Sequence, residues 1–182
     1  MDRLDINNYK EETRYVVLEL EESDIDWLCE IEIQEPAIWQ PGEKTTRAEW
    51  KNIIETYELT WKFYDRAEDW NFGFSIACFV GKDIWIRKIY SAPNLRSTSR
   101  EEGKPRYRDA FESTDHRPVP MIKNICDKRG GKVIAPVSVN NAPAHSNLIG
   151  LNGFDEEVIH IKNYFADGTD LALITYNYQN NS

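Results

Sequence analysis

Apolar residues recur along this chain with two different periods, and each change of period marks an element. Residues 14–20 (RYVVLEL) form a β-branched apolar run that predicts a first strand. Ser23 stands three residues before Asp26 as an N-cap with an acidic first turn. Ile25, Leu28, Cys29 and Glu32/Ile33 then fall on one helical face. Pro36 and Pro41-Gly42 break the chain. Thr46 caps a second predicted helix, whose stripe runs through Trp50, Ile53, Ile54, Tyr57 and Trp61. From Asn71 onward two strands are expected, residues 72–80 (FGFSIACFV) and 84–90 (IWIRKIY). The turn Gly81-Lys82-Asp83 joins them as a hairpin, with one polar position on either face of the second strand.

Residues 92–118 depart from both periods. They hold Arg96, Arg100, Lys104, Arg106, Arg108 and Arg117 among Glu101, Glu102, Asp109, Glu112 and Asp115, with few apolar positions. This reads as a long exposed loop with one short helix near Tyr107 to Phe111, and such loops in compact domains commonly carry function. It is also the stretch best suited to meet an anion. Beyond it, residues 119–129 (VPMIKNICDKR) predict a helix with Pro120 in its first turn and Gly130-Gly131 as its stop. Residues 132–139 (KVIAPVSV) predict a strand in which Pro136 implies an edge or a bulge. A short helix over 144–151 follows, then Gly153-Phe154, and residues 158–164 and 171–178 form a closing hairpin over Ala166-Asp167-Gly168-Thr169. The order is β, α, α, β, β, loop, α, β, α, β, β, an α/β (α+β) arrangement of 182 residues in one domain with a charged insertion at about 92–118.

Composition narrows the function. Hydrophobic residues make up 41% of the chain, enough for a core that buries roughly two-thirds of the unfolded surface. The net charge of −9 argues against a general nucleic-acid binder and suits a cationic partner, although solubility alone also explains it. Cys29, Cys78 and Cys126 are sparse and lack metal-ligand spacing, so no zinc site and a reducing compartment are expected. The polar N-terminus has no apolar leader and no apolar run is long enough for a membrane span, so a cytoplasmic protein without a membrane partner is expected.

The C-terminal segments KVIAPVSV, NNAPAHSNLIGLN, Gly153-Phe154 and EEVIHIKNYFADGTDLALITYNY occur in a telling order. Their run resembles the close of the GNAT (GCN5-related N-acetyltransferase) fold: a strand, an Asn-initiated helix, a Gly-Phe step and a last strand pair. The likeness covers residues 130–178 by motif and the upstream half by element order. It implies a mixed, mostly antiparallel sheet flanked by helices, and transfer of an acetyl or acyl group from acetyl-CoA to a small or protein-borne amine. It also implies a donor site after the strand at 84–90 and on the Asn-initiated helix. The positions this sequence offers there are Tyr90, Ser91, Arg96, Arg100, Gly103 and Asn141, with His145, Ser146 and Tyr90 as the groups available to substitute in acid–base work and Ser138 nearby. Trp39, between two prolines, is the tryptophan expected to line the substrate cleft.

Three features depart from the family pattern. No Gly-x-Gly or Gly-x-Ala follows the strand at 84–90, where the family places its phosphate loop. The acidic residue common on that strand is missing from IWIRKIY. The family's Tyr before Gly-Phe is replaced near Leu148 or Ile149, in a segment about one residue longer than usual. A second implied reading is therefore a catalytically inactive, structural or interaction protein with this fold, as in virion or assembly components of tailed bacteriophages, binding a protein partner. A third is an unrelated α/β domain, which would place the strands at 72–90 and 132–139 in different sheets.

Overall fold

The computed structural model describes residues 15–34, 44–92, 117–155, 159–165 and 167–178. Its centre is one seven-stranded sheet, so the strands at 72–90 and 132–139 share a sheet. In chain order the elements are β1 (Tyr15–Glu19), α1 (Ile25–Gln34), α2 (Arg47–Thr56), β2 (Leu59–Asp65), β3 (Trp70–Val80) and β4 (Asp83–Ser91). Then follow α3 (Pro118–Arg129), β5 (Lys132–Ser138), α4 (Ala142–His145), β6 (Ile159–Ile161) and β7 (Leu171–Asn177). The strands lie in the order β1-β2-β3-β4-β5-β7-β6. Every pairing is antiparallel except β4 with β5.

Two apolar layers cover the two faces. One gathers Trp61, Phe63, Phe72, Ile84, Ile86 and Val133 against Ile122, Ile125 and Cys126 of α3. The other gathers Phe74, Ile76 and Tyr90 under Leu28 and Ile31 of α1 and Trp50 of α2. A register shift at Phe63/Tyr64 leaves Phe72 as an extra residue of β3, which lets this ring join the first layer although Phe74 belongs to the second. A second shift, at Ile76/Ala77, skips Arg87 of β4 and aims Lys88 and Tyr90 at the α1/α2 side.

Several sequence expectations are corrected here. The second helix ends at Thr56 and Tyr57 is already extended, so Trp61 belongs to β2, which the helical stripe had absorbed. In LTWKFYD, Leu59, Trp61 and Phe63 alternate into the first layer, a period of two that the tryptophan spacing disguised. The first helix begins with a 3₁₀ turn at Glu22–Asp24, and the closing carboxylate is Asp24, which accepts from the Glu21 N–H at 2.8 Å, in place of a Ser23 cap. Tertiary pull decides this: Lys62 of β2 donates to both Asp24 oxygens, at 2.9 and 2.8 Å, beneath α1.

Pro136 lies in an interior strand, between β4 and β7, and not at an edge. Its missing N–H is harmless because the bridges from β5 to β4 stop at Trp85↔Ile134, two residues earlier. The helix after Asn141 is four α-helical residues followed by a π turn, Ser146–Leu151. A π turn absorbs one inserted residue, which accounts for the long spacing between Asn141 and Gly153. The last hairpin has a shorter first strand than expected, because the chain leaves β6 at Ile161 and Asp170 gathers the turn by accepting from Lys162 Nζ and Asn163 N. The expected loop helix near Tyr107 to Phe111 lies outside the described residues.

Candidate functional site

The parallel pair β4/β5 is where the sheet opens. Two bridges join these strands, Ile84↔Val133 and Trp85↔Ile134, both at the strand starts. From there β4 continues through Ser91 and β5 through Ser138 without a further bridge, and this unbridged stretch between their C-terminal halves is the wedge. Crevices at the carboxyl ends of adjacent parallel strands are the usual ligand sites of such sheets.

The base of the wedge is clamped. Lys132 N donates to Asp83 Oδ1 at 2.9 Å, and the Arg129 guanidinium donates to the Gly81 carbonyl at 2.6 Å while covering the Phe79 ring at 3.8 Å. Gly131 is required here, because a Cβ at this position would fall on the Lys82 carbonyl. α3 stops at Gly130, whose φ of 66° is left-handed, and the chain turns straight into β5.

On the β5 side the wedge ends at Ser138. The Asn141 side chain caps α4 by accepting from Ala144 N at 3.2 Å. His145 Nε2 meets the Ser138 carbonyl at 3.2 Å. A carbonyl only accepts, so Nε2 is the donor in this contact. Ser146, one residue on, is exposed. On the β4 side Tyr90 is buried and stacked on Phe74 with ring centroids 5.7 Å apart. Ser91 lies opposite Gly73 at the strand end. The structure thus brings Tyr90 and Ser91 to one arm of the wedge and Asn141, His145 and Ser146 to the other. Arg96, Arg100, Gly103 and Trp39 lie outside the described residues.

A charged cluster that the sequence reading passed over sits beside the β4 arm. Glu32 of α1 is 5% exposed. It accepts from Lys88 Nζ through Oε1 at 3.3 Å and from Thr45 N through Oε2 at 3.0 Å. Lys88 Nζ also donates to Thr45 Oγ1 at 2.7 Å and lies 5.2 Å from the Trp50 ring centre. The signal was present in the sequence: a glutamate inside the apolar stripe Ile25, Leu28, Cys29, and a lysine inside the strand IWIRKIY. Charged residues buried in this way are paired, and pairing at a cleft is a functional signature as well as a structural one.

The first turn of α3, which follows residues 93–116, is poor in donors. Pro118 and Pro120 have no N–H, and Met121 N is committed to the Arg117 carbonyl. Among its first-turn amides Val119 alone stays uncommitted to the helix. This helix end does not offer the fan of amides that holds a diphosphate. Among the described residues no group of three or more His, Cys, Asp or Glu side chains could hold a metal ion. Cys29, Cys78 and Cys126 are free thiols, and burial pushes Cys126 up to about 11. No described helix is long and apolar enough to cross a membrane.

No family model matches the sequence, and no curated protein matches it. Solved structures do match. Ard1 from Thermoplasma volcanium superposes with a TM-score of 0.67 at 14% identity, over 92% of this chain and 99% of that one. The ribosomal-protein-S18-alanine N-acetyltransferase from Escherichia coli gives 0.64 at 16% identity, over 92% and 98%. The spermidine N-acetyltransferase from Vibrio cholerae, solved with CoA and spermine, gives 0.58 at 15%, over 90% and 95%. The chain has the GNAT acyltransferase fold, a mixed seven-stranded sheet flanked by helices.

Proposed function

We propose that this protein transfers an acyl group from a CoA-type thioester to an amine, with the wedge between β4 and β5 as the donor site. The observation that carries the reading is the end of β4–β5 bridging at Trp85↔Ile134 while both strands continue. Backbone edges that would pair with each other are then turned toward a ligand. The donor supplies an activated carbonyl and a thiolate leaving group. Amides along β4 beyond Trp85 polarise that carbonyl from fixed positions. Glu32 is the buried carboxylate nearest this arm and takes up the proton released by the amine. Tyr90 on one arm and His145 on the other are the titratable groups placed to return a proton to the thiolate, with Ser146 beside His145. Asn141 and Ser91 frame the two ends. Acetyl-CoA is the donor the fold suggests, with Arg96, Arg100 and Gly103 as the positions to carry its phosphates in place of amides. An amine acceptor agrees with the net charge of −9, and the Vibrio cholerae enzyme, solved with spermine, shows this fold beside such a molecule.

A second reading, a scaffold without thioester chemistry such as a virion or assembly component of a tailed bacteriophage, is favoured by the prolines at the start of α3. Thermal unfolding with and without millimolar acetyl-CoA separates the two. A ligand at about a hundred times its dissociation constant adds roughly 2.7 kcal/mol, a rise of about 5–10 °C at this size. That rise, with thiol release on adding an amine, is the expected result. No shift with acetyl-CoA or free CoA, and no thiol release, would leave the scaffold reading.

A further inference from the structure

Lys88 is itself an amine at the site. Its strand stretch borders the donor wedge beyond the last β4–β5 bridge, and its side chain is only 20% exposed. Its Nζ is held among the Glu32 carboxylate at 3.3 Å, the Thr45 hydroxyl at 2.7 Å and the Trp50 ring at 5.2 Å. Carboxylate, hydroxyl and aromatic face together make a cage for an alkylammonium ion, and here the chain's own lysine fills it. We propose that Lys88 is an acyl-acceptor site of this protein, modified by the thioester that the wedge binds; the proposal rests on that donor site.

The reaction balances without a further reagent. The Lys88 ammonium passes one proton to Glu32, and the free amine attacks the thioester carbonyl. The C–N bond forms and the C–S bond breaks, and the second nitrogen-bound proton leaves with the thiolate as thiol. The lysine ends as a neutral amide beside a protonated Glu32. A buried ion pair, whose two charges are held out of water at a cost, is thereby replaced by two neutral groups. The protein contains its own control: Lys62 is also buried, and paired with Asp24 at 2.8 Å, but it stands on β2, two strands from the wedge.

The test incubates the folded protein with acetyl-CoA and, separately, with S-acetyl-N-acetylcysteamine, a thioester that needs no phosphate site. Modified lysines are then located by mass spectrometry. The expected result is one acetyl group at Lys88, gained at a first-order rate that does not change with protein concentration. Lys62 stays unmodified, and the preference for Lys88 disappears in urea-unfolded protein. Glu32→Gln should slow the labelling about a hundredfold, the usual worth of a positioned base. Glu55→Gln, at an exposed carboxylate of α2, should leave it unchanged, and a parent-like thermal midpoint for Glu32→Gln guards against reading a folding defect as chemistry. If both thioesters label exposed Lys51 or Lys128 faster than Lys88, the proposal is overturned. If an added amine is acetylated while Lys88 is not, the proposal is wrong and the enzyme reading stands. If neither amine nor Lys88 is acetylated, both are wrong.

Discussion

Tyr176 of β7 shows how one side chain can tie three elements and be read by pH. Its hydroxyl donates to Asp127 of α3 at 3.1 Å, the Lys123 ammonium lies 4.3 Å from its ring centre, and Lys123 in turn donates to the Asn152 carbonyl after the π turn. Burial first, and then the Asp127 carboxylate, push the phenol from 10.0 up to about 12. In the unfolded chain the phenol ionises near 10, whereas the folded protein keeps it neutral to about 12. Its contribution is therefore complete below pH 10 and is lost as pH rises from about 10 to about 12, because unfolding then releases a proton. Urea unfolding across that range should show stability falling less steeply in Tyr176→Phe than in the parent protein. Equal slopes would mean that the Tyr176 phenol titrates alike in both states. At this scale the sequence was legible for caps such as Thr46, whose hydroxyl does accept from Glu49 N at 3.3 Å. Charged residues that cross between layers were not legible. Glu32 and Lys88 stand out in the sequence only as charged positions within apolar elements, and their pairing, like that of Asp24 with Lys62, joins positions 56 and 38 apart that only folding brings into contact.

Among the elements, the ones with a single strong period were readable and the ones whose period is broken were not. The hairpin of β3 and β4, the proline-initiated α3 and the Asn141-capped α4 follow from local chemistry. β2 was hidden because Trp61 extends the helical stripe of Trp50 and Tyr57 by chance. The position of β5 was misread because Pro136 normally marks an edge, and only the sheet order reveals that half of an interior strand can behave as one. That half-edge is the wedge proposed as the donor site, so the misreading and the proposed site have one cause. Gly131 holds the closed half in place. In Gly131→Ala the new methyl group must displace the Lys82 carbonyl, which is backbone and cannot swing aside. A loss of about 1–3 kcal/mol is expected, or roughly 2–12 °C in thermal midpoint. With the β4–β5 junction displaced, affinity at the proposed donor site should fall in the surviving folded protein. A variant with the parent midpoint would show that the base of the wedge tolerates displacement.

For the molecule as a whole, charge bears on which partner of the proposed transfer is gathered more readily. The chain carries a net charge of −9, so its field attracts a cationic acceptor and repels an anionic, CoA-type donor. The starved amide fan at α3 adds to the second effect by leaving phosphate recognition to side chains. Sequence alone revealed this balance, since it needs only a count of residues, but not its consequence, which follows from the proposal that acceptor and donor meet at one wedge. Screening tests it. Raising the ionic strength from about 0.01 M to about 0.15 M shortens the reach of charge from about 30 Å to about 8 Å. With a polyamine acceptor, kcat/KM for the amine should fall across that range. The corresponding value for acetyl-CoA should rise or hold steady if the repulsion is general. It should fall as well if the phosphates are gripped by arginines of the 93–116 segment, because that attraction is screened in the same way. An amine term that ignores salt would show that the negative charge serves solubility and takes no part in gathering the acceptor.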